Sequence, residues 1–276
     1  MSLSAVTEQF IVVQLFTSVM SLNSSAPSTA VKSDWTLLRI LIALKERGGG
    51  GVTEISEEFG LAKSTVHDHL RTLHDAEFVV KKDNKYYVGL RFLDFGEVAR
   101  QQRANHELIR EKVNLLAEQT GERAQFIVEE HGHGIYLDLA TGDQAVQTNA
   151  RTGKRVALNA SSAGKSILAH LPRERVEGII EDEGLSAETP DSITDVDTLF
   201  EELERIRERG YAVNREESVV GLHAVGAPIK GSNGTILGGL SISGPAHRLK
   251  GEWFNDEIPN ILLGAVNEIE LNIAFP

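Results

Sequence analysis

TEISEEFGLAKSTVHDHLRTL, residues 53–73, has the punctuation of two short helices joined by a glycine turn. Thr53 is a suitable N-cap for the first, whose inner face is Ile55 and Phe59 at i, i+4. Gly60 supplies the left-handed residue that closes it. The next helix runs from about Ala62 to His74, with Val66, Leu70 and Leu73 as one apolar stripe. At about 100° per residue, that stripe leaves Ser64, Asp68, Arg71 and Asp75 on the opposite side, with Thr65, His67 and Thr72 on the flanks and Lys63 at the start.

The flanks complete the motif. Trp35, Leu37, Leu38, Leu41, Ile42 and Leu44 recur at helical spacing upstream, and the GGGG run at 48–51 ends that helix and supplies a loose connection. Downstream, FVVKK and KYYVG flank Asp83-Asn84, a pair suited to a tight hairpin turn tipped by Lys81, Lys82 and Lys85. Helix, helix, turn, helix and a basic hairpin make a winged helix-turn-helix. Its third helix fits a major groove, and wing lysines sit where phosphates pass. The other use of such a module is protein interaction, so a small-molecule-binding sensor or enzyme with a protein-contacting winged helix is the rival interpretation.

The chain of 276 residues carries a formal net charge of −12, which argues against general coating of nucleic acid. The charge is unevenly distributed. Residues 60–91 hold six Lys/Arg against four Asp/Glu, whereas residues 96–276 hold 18 against 29. The local field, not the total, governs DNA approach. Asp68 has two candidate roles: accepting a hydrogen bond from a cytosine amino group, or pairing with Arg71 at i+3, which is the favoured one.

Other features narrow the class. With no cysteine, disulfides and thiolate metal sites are excluded. The apolar run 10–20 has an acid, Glu8, upstream instead of a basic region, and is too short for a span of ~20 residues. No membrane partner is therefore expected, and translation is expected to start at Met20, with 1–32 an extension that is disordered or lies partly upstream of that start. AGKS at 163–166 lacks the P-loop glycine, because Asn159 holds its place, and in GLSISG the second glycine of a nucleophile elbow is Ser243. EEHGHG at 129–134 matches no strong zinc spacing and reads as a hairpin turn. No base-plus-nucleophile set emerges, so neither catalysis, nor a cofactor, nor a metal is expected.

Residues 90–119 read as helical and the rest alternates strands and helices. AQFIVEE and GIYLDLA form a hairpin around Gly132, and Ser161 or Ser162 caps a helix through His170. Thr194 precedes an amphipathic helix ending at Gly210, AVGAPIK and TILGGLSISG are buried strands, and 255–272 closes the chain as a helix. This pattern suits an antiparallel α+β fold.

VTEISEEFGLAKSTVHDHLRTLHDAEFVVKKDNKYYVGLRFLDFG (52–96) resembles the DNA-binding domain of IclR-type transcriptional regulators, in its GL-x-KSTVH-x-HL-x-TL core and YYVGLRFLDFG exit. LNASSAGKSILAHLP (158–172) and RERGYAVNREESVVGLHAVGAPI…GGLSISGPAHR (207–248) resemble the effector domain of that family. The acidic composition and the STVHDHL form are similar to members from salt-loving archaea. The resemblance implies a winged helix at 33–89, a linker and dimerisation helix at 90–119, and a GAF-like effector-binding domain at 120–276. It implies a cytoplasmic regulator, a repressor rather than an activator, whose partners are a double-stranded operator, a small organic metabolite and itself, as homodimer or homotetramer.

Carried over residue by residue, the resemblance puts Ser162 and Ala163, at a helix start suited to a carboxylate, in the effector pocket. Asn214, Leu222 and Ala224 form a wall, Ser241 and Ser243 offer hydroxyls from one strand face, and Ala145 and Thr148 close the mouth. Members often have an acid near 214 and a cysteine near 224, so Asn and Ala here imply a less polar ligand or altered protonation chemistry. Members often carry Pro or Ser near Ala62, and a basic residue at the place of Asp68. With Ala a poor cap, the reading helix is expected to begin later, capped by Ser64.

Overall fold

The structure, a computed structural model, describes residues 28–146 and 148–275. The expected start at Met20 lies outside them. The chain divides into two compact units, ending and beginning at Val98 and Ala99.

In the first unit, α1 (Lys32–Arg47), α2 (Val52–Phe59) and α3 (Lys63–Asp75) precede a hairpin of β1 (Val79–Lys82) and β2 (Lys85–Val88). Their apolar stripes close one core of Ile40, Leu44, Ile55, Val66, Leu70, Leu73, Val79 and Tyr86. Gly48 and Gly60 adopt left-handed conformations, φ 69° and 62°, where α1 and α2 end. Asp83 and Asn84 both have positive φ, 47° and 63°, as a two-residue hairpin turn of the primed kind demands.

Three local expectations need correction. The N-cap of α2 is Gly51, whose N–H donates to the Glu54 carboxylate at 3.0 Å, so Thr53 lies inside the helix. α3 begins at Lys63 after Ala62, with no side-chain cap, and Ser64 is already helical. The glycine run is not loose: Gly50 exchanges two backbone hydrogen bonds of 2.9 Å with Tyr86 and so tethers α1 to the wing.

α4 (Arg91–Gln101) contains the division between units and, after a break at Asn105 (φ 59°), α5 (His106–Thr120) follows. The second unit is a six-stranded antiparallel sheet in the order β5-β4-β3-β8-β7-β6. These strands are β3 (Arg123–Glu130), β4 (His133–Thr141), β5 (Arg155–Val156), β6 (Ala212–Arg215), β7 (Leu222–Lys230) and β8 (Ile236–Pro245). The helices between them are α6 (Ser162–Leu168), α7 (Arg173–Glu183) and α8 (Val196–Arg209). A π-helical turn, Trp253–Glu257, leads into α9 (Ile258–Ala274).

Alternation along the strands separates two cores. Phe126, Val225, Ala227, Leu240 and Ile242 pack against α5 and α9 through Ile109, Val113, Leu262 and Val266. Ile127 and Ala212 face the other way, toward Ala163, Ile167, Val176, Leu199 and Ile206 of α6, α7 and α8. The segment read as a linker helix thus includes α5, an integral wall of the first of these cores. Asp195, next after Thr194, caps α8, accepting from the Thr198 N–H at 2.8 Å. α7, β5 and β6 were not foreseen. Among the described residues no helix is long and apolar enough to cross a membrane.

Glycine lets α6 lie directly on the sheet. A Cβ on Gly226 would stand 2.5 Å from the Ser162 carbonyl carbon, and one on Gly239 would stand 2.6 Å from the Ala163 oxygen. Gly226→Ala should destabilise the second unit by ~1–3 kcal/mol, as overpacking does. Gly178→Ala in α7, where a Cβ meets open space, should be neutral or stabilising by up to ~1 kcal/mol. Urea unfolding of the two variants checks the contrast.

Candidate nucleic-acid and effector sites

The buried stripe of α3 fixes what its other side presents. Lys63, Ser64, Thr65, His67, Asp68 and Arg71 are all exposed, as are Lys81, Lys82 and Lys85 of the wing. Arg71 Nη2 lies 3.6 Å from Asp68 Oδ1, and both side chains are about two-thirds exposed, at 64% and 66%. Such a pair is worth little in stability, but it orients the guanidinium. Lys85 is partly committed: its ammonium is 3.0 Å from Glu54, which ties the wing to the start of α2. The Glu54 carboxyl is held below its ordinary range first by the Gly51 N–H and then by Lys85. Between Gly51–Glu54, His67 and the hairpin lies a cleft of about 360 Å³.

In the second unit the strand register assembles a polar row. Arg123 of β3 pairs with Ser243 of β8, Ser243 with Ala224 of β7, and Ala224 with Asn214 of β6. One step along, Gln125, Ser241 and Gly226 line up in the same way. These residues share the face on which α6 lies, so Ser241, Ser243, Ala224 and Asn214 converge, with Leu222 two residues before Ala224. Ser162 and Ala163 are buried against Gly226. The first turn of α6 is partly spent internally, since the Gly164 N–H donates to Ser161 Oγ at 3.1 Å. Ala145 sits in a turn with its N–H on Gly142, and the exposed Thr148 reaches the row through its hydroxyl, which accepts from Arg123 Nη1.

Arg123 and Gln125 were missing from the sequence-derived set. Gln125 Nε2 donates to Ser241 Oγ at 2.8 Å, and Arg123 Nη2 to Ser243 Oγ at 3.0 Å. The signal was present in RAQFIV: two polar residues at i, i+2 in an otherwise apolar strand, the same pattern that singled out Ser241 and Ser243. Asn214 donates to the Ala160 carbonyl at 2.5 Å, while its Oδ1 is buried with no hydrogen-bond partner.

Lys165, noted in the sequence only as part of a phosphate-loop decoy, is a structural strut. It is 1% exposed, and its ammonium donates to the Val213 carbonyl at 2.8 Å and to the Glu217 carboxylate at 2.5 Å. Burial pushes the lysine down and the glutamate up, each resisted by the other's charge. The pair joins α6 to β6 and to the 216–221 turn. Among the described residues, no three His, Cys, Asp or Glu side chains converge as a metal site.

Residues 37–83 match the model of the IclR helix-turn-helix domain, and residues 104–271 match that of the bacterial transcriptional regulator IclR C-terminal domain. The chain belongs to the IclR family of transcriptional regulators. It is thus a DNA-binding regulator with an effector domain, not an enzyme. A relative described as a probable HTH-type transcriptional regulator, ArcR, from Halobacterium salinarum is 34% identical over 240 residues, covering 86% of this chain and 91% of its own. The HTH-type transcriptional repressor AllR of Escherichia coli K12 is 31% identical over 220 residues, covering 79% and 81%. The crystal structure of Thermotoga maritima IclR superposes with a TM-score of 0.71 at 31% identity, over 88% of this chain and 98% of that one. The similarity to a relative from Halobacterium salinarum accords with the acidic composition.

Removing one half of the Lys165–Glu217 pair leaves a buried charge alone. Glu217→Gln should therefore cost about 3–5 kcal/mol in urea unfolding. The double variant Lys165→Met/Glu217→Leu should recover most of that loss, and a double variant as unstable as the single one would contradict the uncompensated charge as the cause.

Proposed function

We propose that this regulator is a cytoplasmic, effector-responsive repressor that binds a palindromic operator as a homodimer or a dimer of dimers. The observation that carries the DNA reading is the α3 surface. Every candidate base-contacting residue, from Lys63 to Arg71, stands exposed opposite one buried apolar stripe. Arg71, His67, Ser64 and Thr65 meet base edges in the major groove, and Lys81, Lys82 and Lys85 meet phosphate. Asp68 holds Arg71 and weakens attraction to unrelated duplex. Repression is supported by the name of the AllR relatives as repressors. A small organic metabolite binds on the α6 face of the sheet and shifts the population of DNA-competent arrangements.

Self-association is supported by an apolar surface leading into and along α4. Leu90, Leu93 and Val98 are 80%, 69% and 50% exposed, an unusual density for one short segment. Two copies joined there would present paired reading helices to grooves ~34–36 Å apart. Leu93→Glu should shift the native mass toward the monomer by light scattering, and unchanged mass would remove α4 from the interface.

Operator binding is tested by gel shift on the DNA upstream of the protein's own gene, through a salt series. Arg71→Ala should lose ~1–3 kcal/mol of binding if it reads a base, with relaxed sequence preference. If Arg71 touches phosphate alone, the variant should chiefly show a shallower salt slope. Unchanged affinity and slope would remove Arg71 from the interface. Absence of salt-dependent binding by the wild type would favour the protein-contacting alternative.

A further inference from the structure

Of the three wing lysines, Lys85 is the one paired with an acid among the described residues. Its ammonium stands 3.0 Å from Glu54 Oε1, and the two side chains are 51% and 40% exposed. Lys81 lies over the Tyr86 ring, 5.5 Å from its centroid, and Lys82 is exposed. Glu54 is itself fixed. Its Oε2 accepts from the Gly51 N–H at 3.0 Å, reaching back over the first turn of α2. Arg47 Nη2 lies 3.9 Å from the same oxygen, but its Nη1 serves Glu58. The Glu54 carboxyl is held below its ordinary range, first by Gly51 and then by Lys85, so it is ionised at neutral pH.

An exposed ion pair yields little when two long side chains must both be ordered to make it. Here the carboxylate half is already held by the α2 backbone, so only the lysine has to be ordered. Nor is the pair needed to hold the wing. Gly50 and Tyr86 already join the wing to the connection between α1 and α2 through two backbone hydrogen bonds of 2.9 Å. What the pair changes is charge. Gly51, Glu54, His67, Lys81 and Lys85 line one cleft between the start of α2, α3 and the hairpin. A phosphate approaching Lys85 there meets the Glu54 carboxylate beside it.

We propose that Glu54 gates Lys85: DNA phosphate and the Glu54 carboxylate compete for one ammonium, so Lys85 reaches the backbone only by leaving Glu54. The inference rests on the operator-binding reading and refines it. Lys81 and Lys82 carry the larger part of the wing's attraction to phosphate. Lys85 adds the difference between two ion pairs, not a whole one. Glu54 is thus a positioning residue, acting on DNA affinity through Lys85.

The test is a double-mutant cycle on the full chain, read by fluorescence anisotropy of the duplex upstream of the gene through a salt series. Glu54→Gln removes the charge but keeps an oxygen for the Gly51 N–H, so the start of α2 stays capped. It should tighten binding roughly two- to fivefold and steepen the salt slope by up to ~1. In a Lys85→Ala background the same substitution should change little, because the ammonium competed for is gone. An equal gain in both backgrounds would make Glu54 a general repulsive charge on that face and overturn the gate, as would no gain in either. Should Glu54→Gln fail to fold, two lysine variants decide. Lys85→Ala should weaken binding less than Lys82→Ala, and an equal or larger loss overturns the proposal. A wild type that binds no duplex in a salt-dependent way would overturn the operator reading and this inference with it. A wild type that binds, with no coupling in the cycle, removes the gate alone.

Discussion

The second unit depends on how closely α6 can approach the sheet. Gly226 and Gly239 leave no side chain between them and the α6 backbone, and any Cβ there would overlap the carbonyls of Ser162 or Ala163. The contact brings polar strand positions, which would otherwise face solvent, under a helix. It also buries Lys165, whose ammonium must then find Glu217 and the Val213 carbonyl. Those two bonds fix the turn after β6, and with it Asn214. The polar row from Arg123 to Asn214 is thus a consequence of two absent methyl groups.

The first unit solves a different problem. An acidic protein must approach a polyanion, so the useful field has to be local. The core of Ile40, Ile55, Val66, Leu70 and Leu73 turns the outer face of α3 toward solvent. The bridge from Gly50 to Tyr86 sets the wing beside the start of α2. Glu54 takes part of the charge of Lys85, and Asp68 part of that of Arg71. Each pairing takes part of a cation's charge, so the proposed reading of bases and phosphates falls to a face whose positive field is reduced at both places.

Much of this was legible in the sequence, for definable reasons. The helix-turn-helix was readable because its signals are local: Gly60, the 3.6-residue stripe of α3 and the Asp83-Asn84 turn each act within a few residues. Helix starts were less legible. Thr53 and Ser64 were plausible caps, but Glu54 supplies the first by reaching back to Gly51, and Ala62 precedes α3 without a cap bond. In the second unit, Ser241 and Ser243 were found from spacing on one strand. Arg123 and Gln125 were not, although they show the same alternation, because their meaning depends on pairing with β8, some 120 residues away in the chain. The role of Lys165 was likewise hidden, since its partner lies 52 residues on.

The central claim is that two copies of α3 read one operator. Hydroxyl-radical footprinting on the DNA upstream of the gene tests it most directly. The account predicts two protected patches on one face of the duplex, one helical turn of ~10–10.5 base pairs or a whole number of turns apart. A single patch, or protection spread evenly along unrelated DNA, would contradict it.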